Sequence, residues 1–210
     1  MNKITIIGCG PGGEDYITPA ARKKAMEAEC LIGSERLLEL FPVNGAERIC
    51  VGGDTSKTIE AIASRFESKK VAALVSGDPG VRSMARLIIA KFGMHACDVV
   101  PGVSSVQCAF AKIGLDWTDA KIITAHDKIP DGDFAAILDS PKIAILAGAA
   151  GSVRWISEMA ARAGAGKGLI VCENLTLPGE KVTAMPPDEL SKYNAASMTV
   201  ALLVNRELLE

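Results

Sequence analysis

Three short stretches of glycine and other small residues each follow an apolar run, and such stretches let a backbone approach a flat ligand closely. The first, Gly8-Cys9-Gly10-Pro11-Gly12-Gly13, follows Ile4-Thr5-Ile6-Ile7. The second, Ser76-Gly77-Asp78-Pro79-Gly80, follows Val71-Ala72-Ala73-Leu74-Val75, and the third, Pro101-Gly102-Val103-Ser104-Ser105, follows Asp98-Val99-Val100. Any one of them is ordinary turn chemistry. Three at the carboxyl ends of parallel strands would lie where open α/β sheets bind ligands. The first also satisfies the Gly-x-Gly-x-x-Gly spacing of dinucleotide-binding folds. In those folds the helix opens inside the glycines, so that its first amides meet a pyrophosphate. Here Glu14-Asp15-Tyr16-Ile17-Thr18 intervenes before Pro19, a residue suited to a helix's first turn. An NAD-dependent oxidoreductase, with Glu35 as ribose-binding acid, and a non-enzymatic binding module stay open as alternatives.

Groups that could move a proton are few. Of two histidines, His95 sits in the turn sequence Gly93-Met94-His95-Ala96, whereas His126 ends an expected strand. His126 and Asp78 are the candidates for a general base, and neither is assigned; Asp78, directly before Pro79, also reads as a loop-shaping residue. Arg82 and Arg86 lie four apart on an expected helix, and Arg36, Lys128 and Arg154 each follow a strand end; singly, each reads as solvated charge. Glu180 is open to either reading. Cys9, Cys30, Cys50, Cys97, Cys108 and Cys172 contain no Cys-x-x-Cys pair and read as reduced, buried small hydrophobes, so no protein-bound metal is expected.

Elements of two kinds must position these residues. Strands are expected at residues 4–8, 30–33, 48–51, 71–76 and 97–100, alternating with helices at 19–29, 35–40, 56–66, 81–92 and 103–113. That alternation gives an α/β fold whose N-terminal domain, 1–113, is a parallel sheet with helices on both faces. A C-terminal α/β domain, 114–210, follows, with strands at 121–125, 143–146, 168–172 and 197–204 and helices at 134–138, 152–163 and 188–193. Its sheet is expected to be mixed.

Composition narrows the class. The 210 residues are 49% hydrophobic and 23% charged, with 23 Lys and Arg against 25 Asp and Glu, for a net charge of −2. Neither nucleic acid nor an anionic membrane is an expected partner. Nine aromatic residues are too few for single-strand stacking platforms. Met1-Asn2-Lys3 leads directly into Ile4, without a signal-peptide apolar region, so a cytoplasmic protein is expected.

Together the Gly8-x-Gly-Pro-Gly, Gly77-Asp78-Pro79, Pro101-Gly102-Val103-Ser104-Ser105 and Leu177-Pro178-Gly179-Glu180 segments, in this order, resemble those of the tetrapyrrole (corrin/porphyrin) methyltransferases. The resemblance runs essentially the full length. It implies a two-domain tetrapyrrole methylase fold, usually homodimeric, that uses S-adenosyl-L-methionine, with the second domain completing the donor cleft. From Pro101 through Trp117 the chain is similar to members that methylate carbon 5 of a corrinoid intermediate of cobalamin biosynthesis, cobalt-precorrin-7 or precorrin-6Y. Members acting on other ring carbons share the loops and form the nearest alternative. By this resemblance Pro11 borders the donor, Gly77, Asp78 and Val81 contact it, Ser104 and Ser105 line it, and Leu146-Ala147-Gly148 walls its adenine side. Relatives often carry Ser-x-His-Gly-Arg where this chain has Thr124-Ala125-His126-Asp127-Lys128; Lys128 offers a point charge in place of a bidentate fork. The decarboxylation and carbon 15 methylation fused to some relatives are expected of a separate partner.

Overall fold

The computed structural model describes residues 3–52, 54–126, 128–132 and 134–210. Its first compact unit contains β1 (Ile4–Gly8), α1 (Pro19–Met26), β2 (Cys30–Gly33), α2 (Glu35–Glu39), β3 (Glu47–Cys50), α3 (Thr55–Ala63), β4 (Val71–Val75), α4 (Ala85–Phe92) and β5 (Cys97–Val100). The strands are all parallel, in the order β3-β2-β4-β1-β5. The inner strands β2 and β4 are apolar and buried throughout because both faces are covered, whereas the edge strands β3 and β5 carry charged, partly exposed residues. Ile4, Ile6, Ile32, Val71 and Ala73 pack with Ile62 of α3 and Ile88 of α4, while Ile7, Leu31, Ala72 and Leu74 pack with Ala21 and Ala25 of α1 and Leu37 and Leu38 of α2. The chain therefore leaves β1 toward one face and its neighbour β4 toward the other. That reversal opens a crevice at the carboxyl edge, between the β1 and β4 loops.

Local chemistry fixes the helix ends. Thr18 caps α1, its Oγ1 accepting from the Ala21 amide at 3.1 Å, with Pro19 in the first turn. The Asp54 carboxylate caps α3 by accepting from the amides of Ser56 and Lys57 at 2.9 and 3.1 Å. The helix expected from residue 81 opens only at Ala85. Arg82 has φ +50°, which breaks a helical run, and Ser83 Oγ accepts from the Ala85 amide at 3.1 Å. Arg82 and Arg86 therefore do not share a helix face.

The second unit begins at Ser105 with α5 (Ser105–Lys112) and continues through β6 (Lys121–Ala125), α6 (Ala135–Leu138), β7 (Lys142–Ala147), α7 (Ser152–Ala163), β8 (Lys167–Glu173), β9 (Lys181–Ala184), α8 (Pro187–Leu190) and β10 (Thr199–Asn205). The division between the units thus precedes α5, where the sequence placed it after residue 113, because α5 buries Val106, Cys108, Ala109 and Phe110 and lies against β10. The sheet order is β6-β7-β10-β8-β9, with β6 and β7 parallel and the other pairs antiparallel. Ile143, Ile145, Val171, Ala201 and Leu203 pack against Ile156 and Ala160 of α7. Strand β9 was not anticipated: its four residues carry a lysine and an exposed valine at the sheet's edge, which leaves no apolar run to find. Buried Lys142 donates to Asp116 through both the backbone carbonyl, at 3.1 Å, and Oδ1, at 2.8 Å. That bond holds the Asp116 carboxyl down to about 2.

Candidate functional site

In the first unit the three glycine loops interlock. Gly77 donates to the Gly10 carbonyl at 2.8 Å, and Gly10 donates back to the Gly77 carbonyl at 3.3 Å, which ties the β1 loop to the β4 loop. Asp78 then ties the β4 loop to the β5 loop. Its Oδ1 accepts from the Gly80 amide at 2.8 Å and its Oδ2 from the Gly102 amide at 3.1 Å. The backbones are so close that a Cβ built on Gly8 would stand 2.6 Å from the Gly102 nitrogen, and one on Gly102 would stand 2.8 Å from the Gly8 carbonyl oxygen. Gly77 is the opposite case. It has φ +64°, and a Cβ there would meet nothing within 4 Å, so the loop is locked on its inner side and open on its outer side.

Of the residues the sequence nominated, Pro11, Gly77, Asp78, Val81 and Ser104 all lie in these loops. Pro11 and Val81 are half-buried, the Val81 amide donates to the Asp78 carbonyl at 3.1 Å, and Ser104 is buried at the end of the third loop. Ser105 opens α5 and belongs to the second unit. The dinucleotide alternative loses its footing: a 3-10 turn at Glu14–Tyr16 separates the glycines from α1, so no helix N-terminus stands within them. Two features carried no sequence signal. The backbone contact of Gly8 with Gly102 shows only once β1 and β5 are seen to be neighbours. Arg36, read as surface charge, donates through Nη2 to Ser76 Oγ at 2.9 Å, and its Nη1 is buried without a partner.

In the second unit, parallel neighbours β6 and β7 end at Ala125 and Ala147. His126 follows β6, with its Nδ1 3.1 Å from the Ala147 carbonyl oxygen. A carbonyl can only accept, so Nδ1 carries the hydrogen in this contact. Gly148 makes room for the ring: a Cβ there would come within 2.8 Å of the imidazole Cε1. The Ala147 side chain packs into the core and the residue is buried, whereas Gly148 beside it is exposed. Asp127 lies outside the described residues, and Lys128 is exposed.

Other nominated groups resolve into structural roles. Burial pushes the Cys9 thiol up to about 12, so it is no nucleophile. Glu180 pairs with Lys112 and accepts from the Thr176 amide at 2.7 Å, which lowers its carboxyl and makes it a loop brace. His95 is exposed in a 3-10 turn, and Arg154 pairs with Glu158 on α7. Among the described residues no cluster of three or more His, Cys, Asp or Glu could hold a metal ion, and no helix is long and apolar enough to cross a membrane.

A parallel sheet with a glycine-lined switch point, joined to a mixed sheet, is an architecture with close relatives, and the model of the tetrapyrrole (corrin/porphyrin) methylases matches residues 3–191. The chain belongs to that family. It is 31% identical over 184 residues to the cobalt-precorrin-7 C(5)-methyltransferase of Salmonella typhimurium, covering 87% of this chain and 90% of the relative. Among solved structures, the cobalamin biosynthesis precorrin-6Y methylase of Archaeoglobus fulgidus superposes with a TM-score of 0.75 at 22% identity, over 97% of each chain. The uroporphyrin-III C-methyltransferase of Thermus thermophilus, complexed with S-adenyl homocysteine, superposes with a TM-score of 0.77 at 20% identity, over 97% of this chain and 92% of that one.

Proposed function

We propose that the chain transfers the methyl group of S-adenosyl-L-methionine to carbon 5 of a corrinoid, cobalt-precorrin-7 or precorrin-6Y, in cobalamin biosynthesis. Family membership and the Salmonella relative support the reaction class and the ring carbon. The observation that carries the donor assignment is the locked loop set at the β1–β4 switch point, where Asp78 fixes Gly80 and Gly102 while the outer side of Gly77 stays open. Such a shelf of backbone and small side chains fits a flat adenosine group that needs close approach. The bound donor would supply an electrophilic methyl group on a sulfonium that leaves readily.

This chain's own contribution is alignment. Pro11, Gly77, Asp78, Val81 and Ser104 would hold the donor from the first unit, with Ser105 and the Ala147-Gly148 backbone assigned to it from the second. Holding two reactants in line supplies much of the rate of such a displacement, and no nucleophilic side chain is needed. The methylated ring must shed a proton, and of the two candidate bases His126 is preferred, because both Asp78 oxygens already accept backbone amides. The reading also includes a homodimer in the cytoplasm and a separate decarboxylating carbon 15 methyltransferase.

Calorimetric titration with S-adenosylhomocysteine tests the donor, and product analysis by NMR after transfer of a 13C-labelled methyl group tests the ring carbon. Micromolar binding and label on carbon 5 are expected. Absence of binding overturns the methyltransferase reading, and label elsewhere on the ring moves the chain to a sister enzyme.

A further inference from the structure

We infer that Arg36 binds a carboxylate of the ligand at the carboxyl edge of the first sheet. The inference rests on the donor reading above and adds to it a charged contact that none of the glycine loops supplies. Arg36 follows β2, and its guanidinium reaches the end of β4, where Nη2 donates to Ser76 Oγ at 2.9 Å. Its charge is also felt at the thiol of Cys9, at the end of β1. The guanidinium therefore stands beside the two loops that diverge at the switch point, next to the Gly10–Gly77 pair.

A guanidinium has five N–H donors and cannot shed its proton, so each buried nitrogen needs an acceptor. Nη1 of Arg36 is sealed from solvent and has none, and among the described residues no carboxylate pairs with Arg36. Structural arginines in this unit are satisfied differently: Arg65 lies 2.7 Å from Glu47, and Arg48 donates to the carbonyls of Phe41 and Pro42. A fork with one nitrogen anchored by a neutral hydroxyl and the other unfilled matches a planar oxyanion, whose two oxygens it can take in parallel. The proposed ligands both carry carboxylates, the donor on its amino acid end and the corrinoid on its acid side chains. Reaching Nη1 takes a small side-chain adjustment of the kind common when ligands bind.

The test titrates wild type, Arg36→Gln, Arg36→Lys and Ser76→Ala with S-adenosylhomocysteine and with methylthioadenosine, which lacks the amino acid. It adds KM for the corrinoid acceptor, and melting temperatures to confirm folding. At least a tenfold loss of S-adenosylhomocysteine affinity in Arg36→Gln, with methylthioadenosine affinity unchanged and partial rescue by Arg36→Lys, places the donor carboxylate on Arg36. A tenfold rise in acceptor KM with donor affinity unchanged places an acceptor carboxylate there instead. Changes below twofold in both, or the same loss in Ser76→Ala as in Arg36→Gln, reduce Arg36 to a brace and overturn the inference. Wild type that binds no S-adenosylhomocysteine overturns the donor reading itself, a result visible before any variant is made.

Discussion

Asp78 and Gly102 stand on loops that follow different strands, and the Asp78 carboxylate accepts the Gly102 amide at 3.1 Å while its other oxygen holds Gly80. One side chain thus sets the spacing of the second and third loops. Hydrogen bonds to a charged acceptor contribute about 1.5–3 kcal/mol each, so Asp78→Ala is expected to lower stability by a few kcal/mol. Asp78→Asn should be nearly as harmful, because an amide can satisfy only one of two facing N–H groups. Differential scanning calorimetry checks the first effect, and titration with S-adenosylhomocysteine should show at least a tenfold weakening in both variants.

Two glycines in the same place should respond in opposite ways. Gly102→Ala drives a Cβ against the Gly8 and Gly77 backbones, which cannot yield, so the variant is expected to fold poorly or not at all. Gly77→Ala meets no neighbour and pays only for its φ of +64°, roughly 1–2 kcal/mol. It should fold, and should lose donor affinity because its methyl group occupies the open side of the loop. Circular dichroism and calorimetric titration separate the two outcomes; equal donor affinity in Gly77→Ala and wild type would remove Gly77 from the site.

For His126 the expected signature is kinetic. His126→Gln should lower kcat by about 10²-fold, the lower end of a general-base contribution, and leave S-adenosylhomocysteine binding within about threefold of wild type. Gly148→Ala should reproduce this without touching the imidazole chemically, because its Cβ displaces the ring from the Ala147 carbonyl. Steady-state rates at saturating donor make the comparison, and an unchanged kcat in both variants would leave His126 with no part in the reaction.

Thiol reactivity should divide the six cysteines. Cys50 is exposed, whereas burial raises the thiols of Cys30, Cys97 and Cys108 and pushes those of Cys9 and Cys172 up to about 12. With Ellman's reagent the native protein is expected to show one fast thiol, lost in Cys50→Ser, and the other five only on unfolding.

The pH dependence of stability should carry a mark of Glu47. Bonds from Arg65 and Lys69 hold its carboxyl at about 2, against 4.5 when free. A depressed carboxyl stabilises the fold above the free value, and that contribution drains away as pH falls from 4.5 toward 2. Glu47→Gln should therefore melt slightly lower than wild type at pH 7, with the gap closing on acidification; the group is solvent-accessible, so the effect is small. A gap that widens in acid would contradict the sign.

Periodicity marked the observed ends of β2, β5, β6 and α7, and Pro19 marked the start of α1, whereas α4 opens four residues later than its expected start. The sequence was silent where the controlling fact is tertiary. The edge strand β9 and the fit of Gly8 against Gly102 both depend on neighbours distant in the chain. Arg36 was legible as a charge but not as an unfilled donor, since its surroundings come from the ends of β1 and β4.

The two sheets also differ in when they can form. Every strand of the parallel sheet lies within the first 100 residues, so that unit has all its pairing partners early in synthesis. The mixed sheet has β10 at its centre, between β7 and β8, and until residues 199–205 leave the ribosome those two strands face a gap with unpaired edges. During that interval the nascent second unit is the part of the chain that chaperones, or another unpaired strand, would find.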